Sequence, residues 1–195
     1  MNKKIVTISR EFGSGGRYIG KEIAKRTGFS FYDNEIITKA AQNTGLSEKY
    51  IREMGEYSPK KGLFSFAFVG RNSQGASLGD MMYAAQREII LEVTKKEPCV
   101  IVGRCADYIL RDREDCFHVF ICGNEMEKKQ RLKELYDFTE EEVLHKMKDM
   151  DKKRSTHYHY YTDRTWGEAR NYMLALNSSE IGYEKCIEII LDCIK

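Results

Sequence analysis

The chain has 195 residues, enough for one domain of ordinary size that buries about two thirds of its unfolded surface. Lys and Arg number 32 against 30 Asp and Glu, so no global field directs the protein to nucleic acid or a membrane surface, and any anion site is a local cluster. No secretory h-region and no run near about 18 apolar residues is present, so the expectation is a cytoplasmic protein. The cysteines at 99, 105, 116, 122, 186 and 193 form no C-x-x-C pair, which fits buried free thiols in a reducing cytosol.

The stretch KIVTISREFGSGGRYIGKEIAKRT (Lys4 to Thr27) passes from an apolar run through a glycine cluster into an amphipathic pattern. Ile5, Val6 and Ile8 predict a buried parallel strand, and Ile19, Ile23 and Ala24 predict a helical stripe ending at Gly28. Between them Gly13, Gly15 and Gly16 let the backbone turn its N–H groups inward, so an anion would sit on the helix N-terminus. A plain turn is the bland alternative. The motif G-x-x-x-x-G-K-[ST] is not met: with Gly15 and Gly20 as its glycines, Lys21 is followed by Glu22 rather than a hydroxyl. A second register puts Gly16 at the lysine position and leaves Arg17 as the cation in reach.

FSFYD predicts a short second strand closing on Asp33, which either caps the following helix (Ile36, Ile37 and Ala40 on one face) or joins a binding site. A further helix is predicted from Ser47 to before Gly55. From 55 to 79 a glycine- and serine-rich excursion with Phe64, Phe66 and Phe68 reads either as a flap on the core or as a mobile segment that closes on substrate. Met81 to Lys96 is a helix with Met82, Ala85, Ile89 and Val93 inward and Gln86, Arg87 and Glu88 outward. The continuous apolar run Cys99 to Val102 is a buried parallel strand delivering Gly103 and Arg104 to the carboxyl edge of the sheet, where ligands bind in open α/β folds. Arg104 there suits a phosphate, a surface ion pair being the alternative.

Phe117 to Gly123 is a fourth strand, Glu125 to Tyr136 a helix, and Thr139 with Glu142 a capping box opening the next helix. Between 146 and 170 Lys and Arg outnumber Asp and Glu, and Tyr158, Tyr160 and Tyr161 show no clear helical spacing. A solvated charged helix and an arginine-bearing lid both fit. His157 and His159 in that segment read as a solvated loop rather than metal ligands. Tyr172 to Asn177 is a fifth strand and Tyr183 to Ile194 an amphipathic helix. Five short strands alternating with helices predict an α/β fold, a parallel five-stranded sheet with helices on both faces.

Taken in order, ISREFGSGGRYIGKEIA, FYDNEIITKAA, AQREIILEV, CVIVGRCADYIL, DMDKKR and LALNSSEIGYEKCIEII resemble the bacterial cytidylate kinase group of nucleoside monophosphate kinases, in particular its divergent branch with a GSGGR loop. The resemblance implies a three-layer P-loop NTPase-like domain spanning 1–195, with a core of about 1–54, 80–145 and 171–195, an acceptor-side insertion at about 55–79 and a lid at about 146–170. It implies transfer of the γ-phosphoryl of Mg·ATP to a nucleoside monophosphate, CMP or dCMP by default, with no nucleic acid or membrane partner. Gly13, Ser14, Gly15, Gly16 and Arg17 match the loop around the donor phosphates, and Arg17 stands in for the missing lysine. Tyr18 occupies the place of a Mg²⁺-binding hydroxyl, leaving the metal to water, to Ser14 or to a carboxylate. Asn34 and Lys39, beside Asp33, match acceptor-phosphate positions, as does Arg104 in a G-R-D motif whose aspartate is Cys105, with Asp107 as the stand-in. Asp151 and Arg154 match a pair that contacts the acceptor and the transferring phosphate. Arg154 is the foremost lid arginine, followed by Arg164 and Arg131. Two alternatives stay open: a nucleotide-binding sensor with little turnover, and phosphotransfer to a different small acceptor.

Overall fold

A computed structural model describes residues 3–33, 36, 78–136 and 138–195. Its centre is β1 (Ile5–Arg10), flanked by β3 (Cys99–Val102) and β4 (Cys116–Cys122), with β2 (Ser30–Tyr32) and β5 (Leu174–Asn177) at the edges. All pairings are parallel, in the order β2-β3-β1-β4-β5. Ile5 stands opposite both Cys99 and Cys116, so the three central strands start level and deliver their carboxyl ends to one rim.

Side chains alternate across the sheet, so β1 feeds two cores. Val6 and Ile8 join Val100, Val102, Val119 and Ile121 beneath α1 (Gly16–Thr27), which contributes Ile19 and Ile23. The terminal helix adds Ile187 and Ile190 to the same face. Ile5 joins Cys99, Ile101 and Cys116 on the other face, covered by Ile89, Ile90 and Val93 of α2 (Leu78–Lys96) and by Ile109 of α3 (Ala106–Ile109). Helices on both faces leave the central strands dry, which is why they read as unbroken apolar runs.

Among the described residues the further α-helices are α4 (Glu125–Leu135), α5 (Glu140–Thr162), α6 (Ser178–Ile181) and α7 (Tyr183–Ile194). Thr139 and Glu142 exchange the two hydrogen bonds of the predicted capping box. Four sequence expectations need correction. The charged helix that was one reading of 146–170 is the second half of α5, which continues unbroken to Thr162, so His157 and His159 lie on a helix rather than the expected loop. Its inward positions 143, 147, 151, 154, 158 and 162 make one stripe whose two middle members are Asp151 and Arg154, so polarity at the site hid the period. Gln86, expected outside, is 1% exposed. The fifth strand begins at Leu174, after a 3-10 turn at Ala169–Asn171. Residues 78 and 79 belong to α2, while the rest of the 55–79 excursion and the helices expected between Ile36 and Gly55 lie outside the described residues, apart from Ile36 itself, which is buried.

Candidate active site

The loop after β1 turns on two left-handed glycines. Gly13 and Gly15 take positive φ (87° and 77°), and Gly15 caps α1. A Cβ on Gly15 would lie 2.5 Å from Tyr183 Cε1, so that turn admits no side chain. Other elements fasten the loop. The Phe12 amide donates to Asp151 Oδ1 at 2.7 Å, and the Ser178 hydroxyl donates to the Ser14 carbonyl at 2.7 Å. Glu11 Oε2 accepts from the Lys128 ammonium at 2.7 Å and from the Gly123 amide at 3.1 Å. The amides at the α1 N-terminus are therefore fixed before any anion arrives, which is the condition for strong electrostatic stabilisation.

Gly13, Gly15, Gly16, Arg17 and Tyr18 line a cleft of about 430 Å³ at this loop, together with Arg131 from α4 and Arg154 from α5. Arg17 is thus not the only cation near the glycines. Its Nε donates to Asp33 Oδ2 at 2.6 Å, and its side chain remains 64% exposed. Tyr18, 44% exposed, sets its ring edge toward Tyr183 at 5.9 Å, and the Arg131 guanidinium lies 4.8 Å from the Tyr183 ring centre. Ser14 turns the other way. It is buried, its hydroxyl donates to the carbonyls of Glu11 (2.9 Å) and Ile121 (3.1 Å), and it does not line the cleft.

Arg154 joins α5 to the loop: its Nη1 donates to the Arg10 carbonyl at 3.2 Å, lies 3.6 Å from Asp151 Oδ1, and its guanidinium covers the Phe12 ring at 5.5 Å. Burial raises the Asp151 pKa, an effect opposed by the Phe12 amide and the Arg154 charge.

A second cavity of about 40 Å³ lies at the end of β3, lined among others by Gly103, Arg104, Cys105 and Trp166. Arg10 and Arg154 line both spaces. Gly103, Arg104 and Cys105 all have positive φ (76°, 58° and 53°), an unusual run in which only the first is glycine. Asp107, the expected stand-in for the missing aspartate, does not line either space: it is 3% exposed and accepts a 2.7 Å hydrogen bond from the Tyr158 hydroxyl. Burial pushes its pKa up to about 6. The Arg164 guanidinium lies 5.1 Å from the Tyr108 ring centre and lines neither space. Asn34 and Lys39 fall outside the described residues.

Sequence reasoning missed Arg10. The signal was the one used for Arg104, an arginine at the carboxyl end of a buried parallel strand. Tyr158, which holds Asp107, was named only as part of a tyrosine cluster and could be placed only once α5 was known to be continuous.

A five-stranded parallel sheet of this order, with a glycine loop between β1 and α1 and cations gathered at the rim, is the P-loop kinase fold. The family model for the cytidylate kinase-like family matches residues 5–180, and the chain belongs to that family. Over 97% of each chain it is 26% identical to an uncharacterized protein from Eubacterium ventriosum ATCC 27560, whose crystal structure superposes with a TM-score of 0.75. Shikimate kinase from Bacteroides thetaiotaomicron is 14% identical over 97% of each chain, with a TM-score of 0.55. Shikimate kinase from Acinetobacter baumannii, in complex with shikimate, is 16% identical over 97% of this chain and 92% of that one, with a TM-score of 0.53. These two share the fold. No curated protein matches the sequence. Among the described residues no helix is long and apolar enough to cross a membrane.

Proposed function

We propose that the protein is an ATP-dependent nucleoside monophosphate kinase, with CMP or dCMP as the default acceptor. The observation that carries this reading is that Arg10 and Arg154 line both the glycine-loop cleft and the cavity beside Arg104. A donor polyphosphate on the loop amides and an acceptor phosphate at Arg104 would face the same two guanidinium groups. Phosphoryl transfer needs little more than such positioning and charge neutralisation. On this reading Gly13, Gly15 and Gly16 cradle the donor phosphates, Arg104 grips the acceptor, and Arg154 moves with α5 over the transferring group. Asp151 positions Arg154 and the Phe12 amide. Asp33, Asn34 and Lys39 remain acceptor-side proposals, and Arg131 and Arg164 outer cations of the α4 and α5 side.

The cleft fits a polyphosphate, and Mg²⁺ would enter with ATP and neutralise phosphate charge when bound. Among the described residues no group of three His, Cys, Asp or Glu is set to hold a metal. A second reading, transfer to another small acceptor, is favoured by one feature: Cys105 and Asp107 are both buried, so this segment presents no carboxylate to the acceptor space.

The test is ADP release from Mg·ATP with a panel of nucleoside monophosphates and with shikimate as an acceptor of another class. Turnover with CMP or dCMP, and an acceptor KM raised about tenfold or more in Arg104→Ala with ATP binding intact, would support the reading. Turnover with shikimate alone would move it to the second. Saturable ATP binding without any turnover would make the protein a nucleotide sensor.

A further inference from the structure

We infer that Arg10 is the phosphate-binding cation of the loop, exchanged in position with the lysine that a P-loop ordinarily carries. The inference rests on the kinase reading above and names a residue that the loop motif does not predict. Two registers were open for G-x-x-x-x-G-K, and the fold decides between them. Gly20 lies inside α1, where a Cβ would meet Ile8 Cδ1 at 3.0 Å and Val102 Cγ2 at 3.2 Å, so it is a helix-packing glycine and not part of a loop. α1 begins at Gly16, with Gly15 as its cap. Gly15 and Gly16 therefore stand at the motif's second glycine and its lysine, and counting back six positions puts the motif's first glycine at Arg10.

The substitution at each end explains the other. A Cβ on Gly16 would lie 2.6 Å from Arg10 Cβ and 3.1 Å from Arg10 Cγ. The Arg10 Cβ is fixed by the backbone and cannot swing aside by side-chain rotation, so a side chain at 16 and one at 10 exclude each other. The ordinary loop resolves that exclusion with glycine at the first position and a cation at the last. This chain does the reverse. Arg10 lines the cleft, and its Nη1 occupies the space that a Cβ on Gly103 would fill. Both the root and the tip of Arg10 thus lie where a glycine has left room, and the residue borders both the donor cleft and the Arg104 cavity. A guanidinium at that junction faces the phosphoryl group in transfer, and its planar fork can serve two phosphate oxygens together.

The experiment is a position swap, read by turnover, ATP titration calorimetry and thermal unfolding. Arg10→Gly is expected to lower kcat about 100-fold or more, as removal of one preorganised donor to a developing anion does. Gly16→Lys alone is expected to lower the melting temperature through the collision with Arg10. The double variant Arg10→Gly with Gly16→Lys, which restores the ordinary arrangement, is expected to regain at least about tenfold of the lost turnover, a non-additivity that separate structural defects would not produce. Arg10→Met keeps the stem and removes the charge, and replaces Arg10→Gly in the turnover and ATP measurements should the glycine variant fail to fold. An active wild type whose Arg10 variants stay within about threefold in kcat would overturn the inference and leave the kinase reading standing. Loss in Arg10→Gly without recovery in the swap would overturn the exchange. A wild type that neither binds ATP nor turns over any acceptor would overturn the kinase reading itself. Binding without turnover is judged by whether ATP affinity falls in Arg10→Gly and returns in the swap.

Discussion

The turn that ends β1 and the turn that ends β3 each deliver an arginine to the same rim, yet they hold it by different physics. After β1 the unusual backbone angles fall on Gly13 and Gly15, and the loop is tied down by hydrogen bonds from β4, α4, α5 and α6 or their caps. After β3 three consecutive residues are left-handed and two of them carry side chains, at a cost of about 1–2 kcal/mol for each non-glycine residue. That strain is held by burial: Cys105 is packed away, Ala106 and Ile109 enter the core, and Asp107 is clamped by Tyr158 of α5. The first turn is specified by residue type and the second by its surroundings. A site that requires one rigid anion cradle and one arginine held at a set angle would use both means.

The two turns touch where the Arg10 guanidinium lies over Gly103, and the largest effect is expected there. Gly103→Ala adds a Cβ at φ 76° and forces Arg10 Nη1 out of its place. Because the displaced atom is the end of a flexible side chain, the fold survives with a loss of about 1–2 kcal/mol, while turnover should fall about 100-fold, close to the Arg10→Gly value. Parallel kcat and urea-unfolding measurements check this. A stability loss with unchanged kcat would separate the two turns functionally.

That difference also governs what could be read from the sequence. Cys99–Val102 and Tyr183–Ile194 are found at their predicted limits, because a dry parallel strand and a strongly amphipathic helix write their burial directly into residue type. The glycine loop was legible for the same reason. Arg10 was legible only as an arginine at the end of a buried strand, and nothing in the sequence says that its stem fills the space beside Gly16. Nor was the role of Asp107 legible: its removal from the acceptor space depends on Tyr158, more than 50 positions along the chain. The second half of α5 was obscured because the stripe that faces the fold also faces the site, and there it carries Asp151 and Arg154 where apolar residues would have shown the period.

The clamp on the second turn predicts a pH signature of intermediate size. Burial raises the Asp107 pKa from 3.8 to about 6, so the folded state binds the extra proton between those values and the Asp107 contribution to stability falls as pH rises through that window. His118, beside Thr7 at 2.8 Å, behaves oppositely. Burial lowers its pKa from 6.5 to about 4, and its contribution is complete above 6.5 and lost as pH falls. The two slopes oppose each other in the wild type. Asp107→Asn keeps an acceptor for Tyr158 and removes one slope. The variant should therefore gain stability relative to the wild type as pH rises from about 4 to about 6, by an amount on the order of 1–3 kcal/mol. Denaturant midpoints at pH 4.5, 5.5 and 6.5 would show it, and parallel curves for the two proteins would place the cause of the strained turn's stability elsewhere.

The smallest effect is expected at Arg17, the residue that a linear reading of the motif puts forward. Its side chain is 64% exposed, and its Nε is already engaged by Asp33 at 2.6 Å, so its charge acts on the cleft through water and beside a carboxylate. Exposed charges of this kind are screened and contribute little compared with a cation held between packed backbone turns. Arg17→Ala should lower kcat by less than about tenfold, with a greater dependence on ionic strength than Arg10→Gly shows, since salt screens an exposed charge more than an enclosed one. A loss in Arg17→Ala as large as that in Arg10→Gly would reverse the ranking of the two arginines and return the missing lysine's charge to α1.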